Sequence, residues 1–317
     1  MDSWILDRTG CRGGRSLRFG LACAAAVSLA VVSVAAAQGT TGRPAAPSGR
    51  ESVEINFDAR VGDRPFKCGE RYDGVGTNKA TILPQDFRLY VSEVRLLTAS
   101  GAEVPLALTP DQFWQSDRVA LLDFEDDTGN CLGNPRMNRV VRGTAPKDTY
   151  RGLIFTIGVP ADLNHLDPTL AAAPLNVSDL FWPWRIGYKF TSIVFDSSQP
   201  LAGMRNMPGL ASSNYALVLG SMDCGDGAWD APPKVSCKSP NRPVVRLEAF
   251  DVATDRVTLD LAALFASTNL AIGPPNSSAP CWSFPENGAC ASIMRMIGLP
   301  FGGQPASPQM FVKKGPK

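Results

Sequence analysis

Residues Asp179 to Phe190 read DLFWPWRIGYKF, with Trp182 and Trp184 on either side of Pro183. Six tryptophans and a single histidine, His165, occur in the whole chain. An unmodified indole offers one N–H donor and no lone pair for a metal. If the stretch is extended, Trp182 and Trp184 share a face, and the plainest role for such a pair is to cover the end of a core. Pro183 cannot donate to a ladder, so the stretch is an edge or a loop entering a strand at Lys189.

Other chemistry is sparse. Any Ser–His or Cys–His mechanism has to use His165, which lies in GVPADLNHLDP. Asn, His and Asp before a Pro read first as turn chemistry, and one residue does not build an active site. No acid–base constellation is present, so no catalytic residue is assigned and no turnover is expected. The acidic stretch LDFEDDTGNC offers Glu125, Asp126, Asp127 and Asn130 as oxygen ligands suited to calcium. It lacks the order of an EF-hand loop and reads first as a solvated hairpin tip. Met204 and Met207 sit three apart, and Met222 precedes Cys224 by two. Thioethers are soft ligands suited to Cu(I), though methionine also serves as filler.

The elements that carry these residues begin after an apolar leader. Arg12, Arg15 and Arg18 precede the run Phe19–Val34, and Ala35-Ala36-Ala37 follows. That is the layout of a secretory signal peptide over 1–37, cleaved near Ala37. The run is short for a span of about 20 residues, so no stable membrane anchor is expected. The expected location is periplasmic or secreted. Removing 1–37, which carry four Arg against Asp2 and Asp7, takes the formal charge from +1 to −1. A near-neutral chain has no electrostatic footprint for nucleic acid.

Six cysteines remain: Cys68, Cys131, Cys224, Cys237, Cys281 and Cys290. An even count in an exported chain reads as disulfides. Six cysteines allow fifteen pairings. Proximity favours Cys224–Cys237 and Cys281–Cys290 as local staples, which leaves Cys68–Cys131. Without a C-x-x-C, a thiolate zinc site is disfavoured.

Residues 38–50 read as a flexible leader. Period-two alternation follows, with Val53, Ile55, Phe57 and Ala59 on one face. DFRLYVSEVRLLT repeats it, with a phase slip near Glu93 that predicts a bulge. EVPLAL, RVALLDF, YRGLIFTIGV, YKFTSIVFD, NYALVLGS, PVVRLEAFDV and RVTLDLAAL are further strands. A single turn is predicted at Pro168–Ala173, and short helices at Leu259–Ser267 and in CASIMRMIGL, ending at Gly298. Together these give an all-β, β-sandwich-like domain with short helices and disulfides over 51–317. Ser197–Asn214 is a long surface loop.

Several segments, in order, resemble the MbnP-like copper-binding family, also called metallo-mystery pair four-Cys motif proteins. They are FKCG, DFRLYVSEVRLL, WQSDRVALLDFEDDTGNC, GLIFTIGVPADLNHLD, APLNVSDLFWPWRIGYKF, LGSMDC, CKSPNR, LDLAALF and CWSFPENGAC. The resemblance implies an exported β protein encoded beside an MbnH-like di-haem c-type cytochrome. It implies that this partner oxidises a tryptophan to kynurenine, whose aniline nitrogen and ketone oxygen can neighbour or bind a metal. Trp182 and Trp184 match the family's tryptophan-rich motif, and Trp114 is a third family-like tryptophan with a packing role. Many relatives carry histidine where this chain has Ser92 and Val218. Neither replaces imidazole as a Cu(I) ligand. The resemblance therefore leaves His165 and Met222 as remaining ligands for copper acquisition or storage. Two alternatives stand beside it. One is a member that has lost metal binding but remains a substrate of the di-haem partner. The other is a disulfide-stapled structural or interaction domain.

Overall fold

The computed structural model describes residues 49–198, 214–271 and 281–317. The signal peptide, nearly all of the leader, Met204, Met207 and most of the Ser197–Asn214 loop lie outside these residues. No helix among the described residues is long and apolar enough to cross a membrane.

The strands are β1 (Arg50–Val61), β2 (Arg64–Pro65), β3 (Tyr72–Val75), β4 (Ala80–Thr98), β5 (Glu103–Pro105), β6 (Ala107–Leu108), β7 (Val119–Asp123), β8 (Val140–Pro146), β9 (Tyr150–Ile157), β10 (Thr191–Ser197), β11 (Asn214–Leu219), β12 (Val244–Leu247), β13 (Asp255–Asp260) and β14 (Val312–Pro316). Two short helices, α1 (Leu261–Leu264) and α2 (Ala291–Met296), complete the regular structure with single 3-10 turns.

One sheet runs β14-β13-β1-β8-β6, with β2 on β1; the other runs β11-β10-β4-β9-β12, with β3, β5 and β7 also on β4. Strand β4 is the spine of the second sheet. Its inward alternation comes from Phe87, Leu89 and Val91, which are all fully buried. The predicted slip at Glu93 is present: its φ is +53°, and the register with β9 shifts between Ser92 and Arg95. This bulge turns the Glu93 side chain toward Thr156 and Arg242. The sheets face each other across aromatic contacts, such as Phe57 of β1 against Phe155 of β9, centroids 5.6 Å apart. Buried rings of this kind supply much of the apolar area that drives such a fold.

Two sequence expectations change. Leu259 and Asp260 finish β13, so only Leu261–Leu264 is helical. The switch comes at Asp260, whose carboxylate accepts from the amides of Ala262 and Ala263 as an N-cap. The single turn expected at Pro168–Ala173 is present, the Leu170 amide donating to the Asp167 carbonyl. The strand after the tryptophans starts at Thr191 rather than Lys189.

All three bridges form as proximity favoured, Cys68–Cys131, Cys224–Cys237 and Cys281–Cys290.

Candidate functional site

The connection from β9 to β10 carries both His165 and the tryptophan pair. Trp182 and Trp184 do not share a face. The Pro183 carbonyl accepts from the amides of Ile186 (2.8 Å) and Gly187 (3.1 Å), and the Trp182 amide donates to the Gly187 carbonyl at 2.9 Å. With Phe181 bridged to Tyr188, the segment is a tight hairpin whose turn splits the two indoles. Gly187 holds φ at +84°, and a Cβ there would lie 2.1 Å from the Asn164 carbonyl oxygen. Only glycine meets both demands.

The indoles take different neighbours. The Trp182 ring lies 5.7 Å from the Trp282 ring. It also covers Gly220, where a Cβ would meet it at 2.9 Å. The Nε1 of Trp282 is buried without a hydrogen-bond partner. Trp184 packs edge-on against Phe181 at 6.4 Å. Trp114 is partly buried against the core.

The backbone carbonyl of Trp184 accepts from His165 Nδ1 at 3.0 Å. The other ring nitrogen, Nε2, lies 3.2 Å from Asn164 Nδ2, which also donates to the Ile186 carbonyl. Carbonyl acceptor on one side and amide donor on the other set the tautomer: Nδ1 carries the proton and Nε2 presents its lone pair. Burial lowers the His165 pKa, only partly opposed by the Trp184 carbonyl, so the ring is neutral at pH 7. Nε2 also lies 3.5 Å from Cys237 Sγ. His165 Nε2 and the sulfurs of Cys224 and Cys237 all lie within 4.8 Å of one another.

Met222, two residues before Cys224, is buried, and its backbone pairs with Ser239. Met222, Cys224 and Arg185 line one cavity of about 560 Å³. Arg185 lies over the ring of Trp229, 3.6 Å from its centroid.

The two family histidine positions are filled otherwise. Ser92 is buried; its hydroxyl donates to the Gly158 carbonyl at 2.7 Å and accepts from Arg242 Nη2 at 3.2 Å. The same guanidinium pairs with Glu93 at 2.9 Å. A positive charge already sits at Ser92, which opposes a metal cation there. The Val218 side chain is buried, and its backbone pairs with Cys281 and Ser283.

A second polar cluster lies on β4, β7 and β10. Arg88 forks onto Asp86 at 2.8 and 2.9 Å and reaches Asp179 at 2.7 Å. Burial works against the Arg88 charge, but its bonds and the charges of Asp86 and Asp179 hold its pKa above the ordinary value. Ser192 donates to Asp86 at 2.6 Å. Asp123 is buried with Oδ2 unpartnered. Burial first, then the Glu125 charge, push its pKa up to about 8, so it is mostly protonated at pH 7. In the acidic loop beyond it, Glu125 and Asp126 are engaged by that loop's own groups. Glu125 accepts from the amides of Asp127 and Asn134, and Asp126 caps Thr128.

The contact of His165 with Cys237 escaped sequence reading because 72 residues separate them. Asn164, Arg242 and Trp282 were also missed. Arg242 and Trp282 lie inside the family-like segments CKSPNR and CWSFPENGAC, which was the available signal.

The MbnP family model matches residues 50–283. Among solved structures, MbnP from Methylosinus trichosporium is similar at 28% identity with a TM-score of 0.73, over 84% of this chain and 99% of that one. No curated protein matches the chain.

Proposed function

The chain belongs to the MbnP family, and from that premise we propose that it is an exported copper-handling protein. In this reading a di-haem c-type cytochrome partner opens one indole of the W-x-W hairpin to kynurenine. The observation that carries this reading is the seat of Trp182. Its ring covers Gly220, two residues beyond Val218, where many relatives place a histidine, and it lies 5.7 Å from the ring of Trp282, tilted at 42°. Opening its five-membered ring adds a ketone oxygen to a side chain whose neighbour, Trp282, holds a buried N–H donor without an acceptor. Trp184 offers no comparable unfilled partner, so Trp182 is the indole we assign as the oxidation target. A Cu(I) ion would then draw on the modified side chain, with His165 and Met222 as the remaining soft or imidazole donors of the region.

The test is a peptide map of protein from its own host. Kynurenine mass on the Trp182 peptide, together with retained copper, supports the reading. An unaltered Trp182 with no retained metal overturns it.

One observation favours a second reading, a member that no longer binds metal yet is still oxidised. Arg242 fills the space beside Ser92 with a fixed positive charge, and Val218 is apolar. Oxidised Trp182 without copper would select this version.

A further inference from the structure

Of the three bridges, Cys224–Cys237 alone has an imidazole against it. Cys281–Cys290 is wholly buried in the apolar core. No hydrogen bond or ring contact joins Cys68–Cys131 to His165, the chain's single histidine. Beside Cys224–Cys237, three features coincide. His165 Nε2 presents its lone pair toward the sulfurs. Its Nδ1 proton is tied to the Trp184 carbonyl, the outer bond that metal-binding histidines normally make. A cavity of about 560 Å³ is walled in part by Cys224, the other half of the bridge.

We propose that reducing the Cys224–Cys237 bridge creates a Cu(I) site made of the two cysteine sulfurs and His165 Nε2. The distances suit it. A nitrogen about 2.0 Å and a sulfur about 2.3 Å from one cation are about 3.5 Å apart at a tetrahedral angle, and Nε2 stands 3.5 Å from Cys237 Sγ. Thiolates with one imidazole are a soft set that selects Cu(I). While the bridge is closed, neither sulfur is a thiolate and no site exists. A dithiol reductant gives two electrons and two protons to the S–S bond and leaves as its own disulfide. The two new thiols then lose their protons to solvent as Cu(I) binds. Asn164 yields its bond to Nε2 and keeps its bond to the Ile186 carbonyl.

This site requires no change to either tryptophan, so its fate is separable from that of the proposed function. The full chain is produced without any cytochrome partner, leaving the indoles intact. It is reduced anaerobically, freed of reductant, and titrated with Cu(I) against bicinchoninate. The expected result is one Cu(I) per reduced chain and none per oxidised chain, with sulfur ligation in X-ray absorption. Alkylation mapping should place the new thiols at Cys224 and Cys237. The Cys224→Ala/Cys237→Ala pair should abolish uptake, and His165→Gln should weaken it at least tenfold with the thiols intact. Equal uptake by oxidised and reduced chains, undiminished uptake by His165→Gln, thiols opening elsewhere first, or retention of zinc but not copper would each overturn the proposal.

Discussion

Around Arg88 the protein buries charge, and around His165 it buries none. Both clusters grow from the eight-stranded sheet and its loops, and both are polar, yet they end in opposite states. Asp86 and Arg88 sit two apart on β4, on the face opposite Phe87 and Leu89, and both are buried there, where they must neutralise each other. Asp123, left without a cation of its own, holds a proton instead. Every charge there is answered, and a metal ion would compete with a fixed guanidinium. At His165 the partners are a carbonyl, an amide and a disulfide, all uncharged. A neutral lone pair survives there because nothing ionic has claimed it. The carboxylates of Asp86 and Asp179 are thus already matched by Arg88, whereas the direct partners of His165 are all uncharged.

That contrast can be broken most forcefully at Arg88. Arg88→Met strands Asp86 in the interior and should cost about 3–5 kcal/mol, read as a lower urea midpoint. A loss under about 1 kcal/mol would mean that the pair is not truly buried. Gly187→Ala comes next. The left-handed φ and the clash with the Asn164 carbonyl predict a loss of about 1–3 kcal/mol. Because Asn164 braces His165, the same change should also alter the imidazole resonances by NMR. Unmoved resonances would separate the hairpin from the histidine.

Asp123→Asn sharpens the comparison through pH. The folded pKa of Asp123 is raised from the ordinary 3.8 to about 8. Its contribution is fully present below about pH 4 and is lost as pH rises through about 8. The variant should therefore show a flatter stability profile between those limits, and an unchanged slope would assign that titration elsewhere. His165 gives the smallest effect, of opposite sign. Its pKa is lowered by burial, so stability is complete above about 6.5, the unfolded value, and falls as the solution is acidified below it. His165→Gln should remove that acid-side slope in a urea titration from pH 7 to 5. Persistence of the slope would show that His165 is not its source.

Much of the sandwich was legible in alternation. Val53, Ile55, Phe57 and Ala59 face inward as read, and the slip at Glu93 is a true bulge. Strand β8 was not anticipated because Gly143 and Pro146 interrupt its pattern, and β14 because Lys313 and Lys314 make it look like a tail. The burial of Asp86 and Arg88 was not legible, because alternation assigns them to the face opposite Phe87 and Leu89, which reads as solvent-facing. The shared face expected of Trp182 and Trp184 failed because the Pro183 carbonyl captures two amides and folds the chain back between them. The imidazole–disulfide contact was beyond reach, because it is created by tertiary packing and leaves no local periodicity.

The parallel pairing of β1 with β13 sets Phe57 opposite Val257. Loops of that length close slowly, so the first sheet must wait until nearly the entire polypeptide is available to fold. Cys68 and Cys131, by contrast, can meet once the first half is made. Until Asp255–Asp260 arrives, residues 57–60 of β1 lack their β13 partner, and an unpaired strand edge is a template for another copy. The hazard of clumping is therefore greatest for nascent and truncated molecules, and β13 is the element that ends it.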